Sequence, residues 1–247
     1  MKTLIELVGA GGFSDMPDYI YAARHGQCPH NRDKWLAGRV QVALTSEGLR
    51  DALRLRQVVK REPFPFDLVY TTNLIRARHT CEIALNIQYP AVDKQGAFLY
   101  DAEGFPKMVR PKEDPLYNGR IVLDDRLEER EFGFYKMPRD TYDVTKVRFR
   151  PENGESIDDV YARVVDFAVK ELPKSTSKGG KGTSRVALFI HGCSLGMLKT
   201  FLTGKTLDNI TNGRGCVDDK VINTKPGTLY VFKKNTARRM YELITEY

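Results

Sequence analysis

The chain has 247 residues, which suits one large domain or two small ones with a sizeable buried core. Its 41% hydrophobic and 29% charged residues are those of an ordinary globular protein. The net charge of +7 favours anionic ligands in general, yet Lys and Arg are spread along the chain rather than gathered in a run. That distribution does not single out nucleic acid, and a well-solvated basic surface explains the charge equally well. The cysteines, Cys28, Cys81, Cys193 and Cys216, lie far apart without a C-x-x-C pair, which argues against a metal site or disulfide framework. Free thiols fit a reducing compartment. The stretch Met1 to Gly12 carries Glu6, is too short for a membrane span and lacks the basic start and long apolar run of a secretory signal. The sequon Asn209-Ile210-Thr211 matters only in a secreted protein. The expectation is a cytoplasmic protein with no membrane partner.

In chain order, Tyr19–Ala23 is the first strand candidate, and Arg24-His25-Gly26-Gln27 follows it. Glycine allows a sharp turn and close approach to a ligand. Arginine presents a planar fork of donors that matches phosphate oxygens, and an adjacent histidine can attack phosphorus. A helix is predicted from Ser46 to about Lys60, capped by Thr45 or Ser46, with Leu49, Leu53 and Arg56/Gln57 at amphipathic spacing. Pro63-Phe64-Pro65 breaks the chain, Phe66–Tyr70 reads as a second strand, and a helix is predicted from Leu74 to about Asn86. Residues 90–122 carry many Pro and Gly residues and no clean periodicity, so irregular excursions with short elements are expected there.

A strong apolar stripe predicts a helix from near Glu155 to near Leu172. Lys174–Ser184 reads as a solvated loop; Gly182 follows Lys181, so it is no phosphate loop. Arg185–Ile190 is the clearest buried strand, it runs into His191-Gly192, and a helix from Ser194 to Leu202 is expected after it. Thr228–Lys233 is a late strand. Strands alternating with helices predict an α/β fold with a mainly parallel sheet. Ligands gather at the carboxyl ends of strands in such sheets. The ends in this reading carry Arg24-His25-Gly26, Thr71-Thr72 with Arg76, and His191-Gly192.

Five blocks in order resemble the histidine phosphatase superfamily, also called the phosphoglycerate mutase-like fold. Arg24-His25-Gly26 with Asn31 is similar to its R-H-G-x-x-x-x-N, and Leu44-Thr45-Ser46-Glu47-Gly48 to its L-T-x-x-G helix start. Phe66 to Ala77 matches the block ending in Arg-Ala, Leu127-Glu128-Glu129-Arg130-Glu131-Phe132-Gly133 matches L-x-E-x-x-F-G, and His191-Gly192 closes the set. The resemblance implies a three-layer sandwich with a mainly parallel central sheet flanked by helices. It would be a single domain over 1–247 with cap insertions, the irregular one at about 91–122. His25 would be the nucleophile that becomes a phosphohistidine. Arg24, Arg76, His191 and Gly192 would form the phosphate site, with Asn31 as a further donor. Glu129 would be the general acid. No cofactor and no metal are expected, since arginines take the place of the cation. The expected partner is a small phosphorylated substrate, with no nucleic acid and a homodimer possible, as in relatives.

Several residues admit two readings. Arg76 and Arg78 are both helix charges, and the motif selects Arg76. Charge alone does not choose among Glu128, Glu129 and Glu131; motif spacing selects Glu129. His30 reads as a loop residue, and Arg78 and His79 as surface or packing residues. Glu155 could simply serve the N-terminus of its helix, and Ser194 could cap the helix after His191-Gly192 while its backbone lies near phosphate. Cys28 and Cys193 stand where Ser or Asn is commoner in the family, and a thiol beside an anion site could be oxidisable. The mutase subgroup carries a long basic cap after the acid block. Here only Arg130 to Gly154 fill that interval, and the extra length comes earlier, which favours the phosphatase branch and phosphomonoester hydrolysis; the alternatives are the cofactor-dependent mutase and a catalytically silent relative that only binds phosphate. Specificity is expected from loops 91–122 and 134–151, where Lys107, Arg110, Lys112, Arg120 and Arg148 could meet a second anionic group or be solvated.

Overall fold

Strand β1 (Tyr19–Arg24) is apolar on both faces because both faces are covered. The computed structural model describes residues 2–62, 66–133, 150–175, 183–207, 211–212, 216–217 and 224–247. Helix α1 (Leu4–Ser14) precedes β1; a short α2 (Pro29–Arg32) and a long α3 (Ser46–Arg61) follow it. Then come β2 (Leu68–Thr71), α4 (Ile75–Ala84), β3 (Tyr89–Pro90), β4 (Met108–Val109) and β5 (Ile121–Leu123). The chain continues through α5 (Ile157–Glu171), β6 (Arg185–Ile190), α6 (Gly192–Leu202), β7 (Thr211–Asn212), β8 (Cys216–Val217), β9 (Leu229–Asn235) and β10 (Met240–Glu246).

The central sheet has six strands in the order β10-β9-β1-β6-β2-β5. β1, β6, β2 and β5 run parallel, and β9 and β10 are antiparallel additions at one edge. Alternate side chains sort onto the two faces. Ile20, Ala22, Val186 and Leu188 pack with α1, α5 and α6, while Tyr21, Ala23, Ala187 and Phe189 pack with α3 and α4. This is a mainly parallel sheet between two helical layers, the expected α/β class. β3 and β4 pair in a separate two-stranded sheet, and so do β7 and β8.

The sequence patterns locate α3, α4, α5 and β6 well. Thr45 caps α3, its hydroxyl accepting from the Gly48 N–H. The buried face of α3 includes Leu49, Ala52, Leu55, Arg56 and Val59; of the expected stripe Leu49 and Arg56 are buried, while Leu53 is only half buried and Gln57 is exposed. α1, α2 and β10 carry no readable signal in the pattern. Gly9, at φ +66, kinks α1 and dilutes its periodicity. Within the 90–122 stretch, Ile121–Leu123 joins the central sheet as an edge strand beside β2. The predicted loop Lys174–Ser184, the cap 134–151 with Arg148, and the sequon fall wholly or partly outside the described residues.

Candidate active site

The register of the sheet creates the site. β1 and β6 pair in parallel with Arg24 opposite Ile190, so His25 and His191 leave neighbouring strands at the same level. The His25 N–H donates to the Ile190 carbonyl at 3.0 Å, and the two imidazoles lie 5.1 Å apart between ring centres. Both are buried, at 2% and 0% exposure.

Gly26 is required by packing. A Cβ there would lie 2.3 Å from the Gly48 carbonyl oxygen, and one on Gly48 would lie 2.0 Å from that of Gln27. The loop after His25 and the start of α3 therefore touch backbone to backbone. Gln27 is further held by the Thr45 N–H and hydroxyl, and by Asp51, which accepts its N–H at 2.9 Å. The Gly26 N–H donates to the Thr80 hydroxyl at 3.0 Å, which in turn donates to the Arg76 carbonyl at 2.7 Å, tying the same loop to α4.

His25 is oriented at both ring nitrogens. Nδ1 lies 2.7 Å from the Gly26 carbonyl, which only accepts, so Nδ1 carries the proton. Nε2 accepts from Arg76 Nε at 3.3 Å. Burial, then the charges of Arg76 and Arg24, hold the imidazole well below its ordinary pKa, so it is neutral with its lone pair on Nε2. Arg76, 1% exposed, also donates to the carbonyls of Val40 (2.8 Å) and Gly38 (2.8 Å). Among the described residues, each terminal nitrogen makes one such bond and has a second N–H to give.

His191 sits at the N-cap position of α6. Its Nε2 is 2.9 Å from the Thr72 hydroxyl, which also accepts from the Leu74 N–H. A hydroxyl has two acceptor lone pairs, so Thr72 either donates to Nε2, which puts the imidazole proton on Nδ1, or accepts a second time from an Nε2–H. Nδ1 is buried with no hydrogen-bond partner among the described residues. Burial and the nearby cations, Arg76 foremost, hold this imidazole well below its usual pKa too. His191 Nδ1 is thus unpartnered among the described residues, a donor in one tautomer and an acceptor in the other. Thr72 was not singled out from sequence; only its place at a strand end in the Arg-Ala block hinted at a role. Gly192 makes room for Arg24, whose guanidinium carbon would lie 3.0 Å from a Cβ there; Arg24 Nη1 donates to the Thr224 carbonyl.

The three acids separate by their contacts. Glu129 Oε1 accepts from the Arg130 N–H (2.9 Å) and the Cys193 N–H (3.2 Å), bringing this carboxylate to the first turn of α6 beside His191. Glu128 turns to Arg39 at 3.3 Å, and burial raises its pKa. Glu131 accepts from the N–H groups of Gly133 and Arg39. Ser194 is the third residue of α6, not its cap, and its hydroxyl accepts from the His191 N–H.

Contacts therefore link His25 to Arg76 and Glu129 to the α6 start that holds His191, with Arg24 against Gly192. Asn31 is less engaged: its Oδ1 accepts from Cys28 N–H and Sγ, both at 3.1 Å. Burial, then Glu129, push the Cys193 thiol up to about 12, which keeps it protonated near neutral pH. His79 is buried and burial lowers it to about 4, while Arg78 reaches solvent and pairs with Glu82. Lys107, Arg110, Lys112 and Arg120 are exposed. Among the described residues, no group of three His, Cys, Asp or Glu side chains is arranged to hold a metal, and no helix is long and apolar enough to cross a membrane.

The family model of the histidine phosphatase superfamily (branch 1) matches residues 20–96. A 2,3-bisphosphoglycerate-dependent phosphoglycerate mutase of Methylorubrum extorquens is 29% identical over 197 residues, 80% of this chain and 84% of that protein. A phosphoglycerate mutase of Schizosaccharomyces pombe is 27% identical over 200 residues, 78% and 83% of the two chains. Among solved structures, mycobacterial glucosyl-3-phosphoglycerate phosphatase shares the fold with a TM-score of 0.59 at 18% identity, covering 92% of this chain and 98% of that one. Mycobacterial hydrolase 1 does so with a TM-score of 0.61 at 17% identity, covering 92% and 97%. The matched stretch 20–96 contains β1, the Gly26–Gly48 contact and α4 with Arg76, the parts that hold His25. Residues 20–96 thus match the histidine phosphatase superfamily (branch 1), and the two mycobacterial structures share the fold over 92% of this chain.

Proposed function

We propose that this protein hydrolyses a small, anionic phosphomonoester through a phosphohistidine on His25. The observation that carries this reading is the state of His25: neutral, fixed through Nδ1 by the Gly26 carbonyl, with Nε2 facing Arg76 and a second buried imidazole, His191, 5.1 Å away between ring centres. Nε2 attacks phosphorus and the bond to the leaving oxygen breaks. Arg24, Arg76 and the Nδ1–H of His191 take the charge that spreads over the phosphoryl oxygens, and Asn31 and Gly192 complete the cradle. Glu129, as a carboxylic acid, gives its proton to the leaving alkoxide. Water then attacks phosphorus, the P–N bond breaks, and Glu129 takes up the water's proton. Inorganic phosphate leaves. The chain acts as a single domain inside the cell on a dissolved metabolite, without a nucleic-acid partner.

A second reading, phosphoglycerate mutase, is favoured by the named sequence relatives. Against it stands the short interval from Arg130 to Gly154, which leaves little chain for a cap that would keep water from the phosphohistidine.

The deciding experiment is hydrolysis of p-nitrophenyl phosphate in EDTA by the wild type and by His25→Ala, with acid-labile phosphate on the protein followed in parallel. Turnover and labelling in the wild type, both lost in the variant, support the proposal. Isomerisation of 3-phosphoglycerate that needs a bisphosphoglycerate primer, with negligible ester hydrolysis, would replace it with the mutase.

A further inference from the structure

Glu129 lies on a segment, 128–132, that belongs to no helix or strand. Its backbone polar groups must find partners elsewhere. Three side chains supply them. The Glu129 carbonyl accepts from Arg163 Nη2 at 3.1 Å and from Arg39 Nε at 3.3 Å. Both guanidiniums converge on one carboxylate: Glu155 accepts from Arg163 Nε at 2.8 Å and from Arg39 Nη2 at 3.0 Å. Glu155 Oε2 also takes the Glu131 N–H at 3.0 Å, its own N–H donates to the Glu131 carbonyl at 2.8 Å, and its carbonyl accepts from Arg130 Nε at 2.8 Å. Glu155 does not cap its helix; Ser156 does.

We infer that Glu155 is the positioning residue for Glu129, acting through Arg39 and Arg163; this rests on the reading of Glu129 as the proton donor. The clamp replaces the ladder of hydrogen bonds that a strand would provide. It fixes the carbonyl of the residue whose side chain must meet the leaving oxygen. Proton donation tolerates little displacement, because the transferring atoms must stay within hydrogen-bond reach. A neutral amide at position 155 puts a donor where one of the N–H groups of Arg39, Arg163 or Glu131 needs an acceptor, so the clamp loosens without any change in side-chain size.

The test compares a poor leaving group with a good one, because only the former needs the acid. In Glu155→Gln, kcat on an alkyl phosphate such as glycerol phosphate should fall about 10–30-fold, and kcat on p-nitrophenyl phosphate less than about 3-fold. Arg39→Gln, at a side chain one-third exposed, should give the same pattern more weakly in a variant that keeps the wild-type melting profile. Equal losses on both substrates, or none on either, would overturn the inference, because mere structural support does not discriminate by leaving group. Glu129→Gln in the same assay separates the two failures. If it shows no leaving-group dependence, the acid assignment falls and the positioning role falls with it. If it does and Glu155→Gln does not, only the positioning role falls.

Discussion

The two sides of the pocket are held by different physics. The histidine side is held by backbone: parallel register places His25 beside His191, and two glycines let the following loop press on α3. The carboxylate side is held by side chains: Glu129 sits on irregular chain clamped by Arg39, Arg163 and Glu155. Backbone contacts are cheap to specify, since they need only strand pairing and small residues. A side-chain clamp needs partly buried charges from two segments, Arg39 and 155–163, to meet on a third, and each charge left unpaired there would be costly. The comparison teaches that one active site can combine a part fixed by the fold and a part fixed by a charge network.

The sharpest way to break this contrast is to remove from each side the group proposed to react. His25→Ala should lose at least ~10⁴-fold in kcat on every ester, as expected for loss of a nucleophile. Glu129→Ala should lose ~10²–10³-fold on alkyl phosphates and far less on aryl phosphates, as expected for loss of a general acid. Steady-state rates across a leaving-group series check both, and uniform loss in Glu129→Ala would remove the distinction.

Next in size is the backbone contact. Gly48→Ala forces a methyl group against the Gln27 carbonyl and should destabilise by ~1–3 kcal/mol, lowering Tm by several degrees. An unchanged melt would mean that the contact relaxes freely. The neutral histidines predict a pH signature. His25, His79 and His191 are all held below their ordinary value, so above about pH 6.5 both folded and unfolded chains are neutral there and stability is full. On acidification the unfolded chain binds protons that the folded chain does not, and stability falls by up to ~1.4 kcal/mol per pH unit per histidine. Denaturant melts from pH 7 to 5.5 should show this slope, and His79→Leu should remove one histidine's share of it. The smallest effect is expected at Thr72→Val, which removes the hydroxyl that holds His191 Nε2 and so loosens the ring that would present Nδ1–H to phosphate. Inhibition by inorganic phosphate should weaken about 5–10-fold, as for one lost hydrogen bond near 1 kcal/mol. Unchanged inhibition would deny His191 its donor role.

The sequence by itself determined most of the backbone-built half. Apolar runs ending in Arg24-His25-Gly26 and His191-Gly192, and Thr45 as a helix cap, are local signals that survive without knowledge of the partner segments. It also marked Glu129 by motif, but not what distinguishes it from Glu128 and Glu131, which differ only in where they turn. Tertiary structure alone decided that Gly26 answers to Gly48, that Thr72 meets His191 Nε2, and that Glu155 gathers two arginines on Glu129. It alone decided the edges of the sheet as well, where β5 and β10 are too short or too mixed in pattern to stand out. The physical reason is common to all of these. Periodicity and capping depend on neighbours in the chain, whereas a close approach, a tautomer or a shared carboxylate depends on which distant atoms the fold brings within about 3 Å of one another.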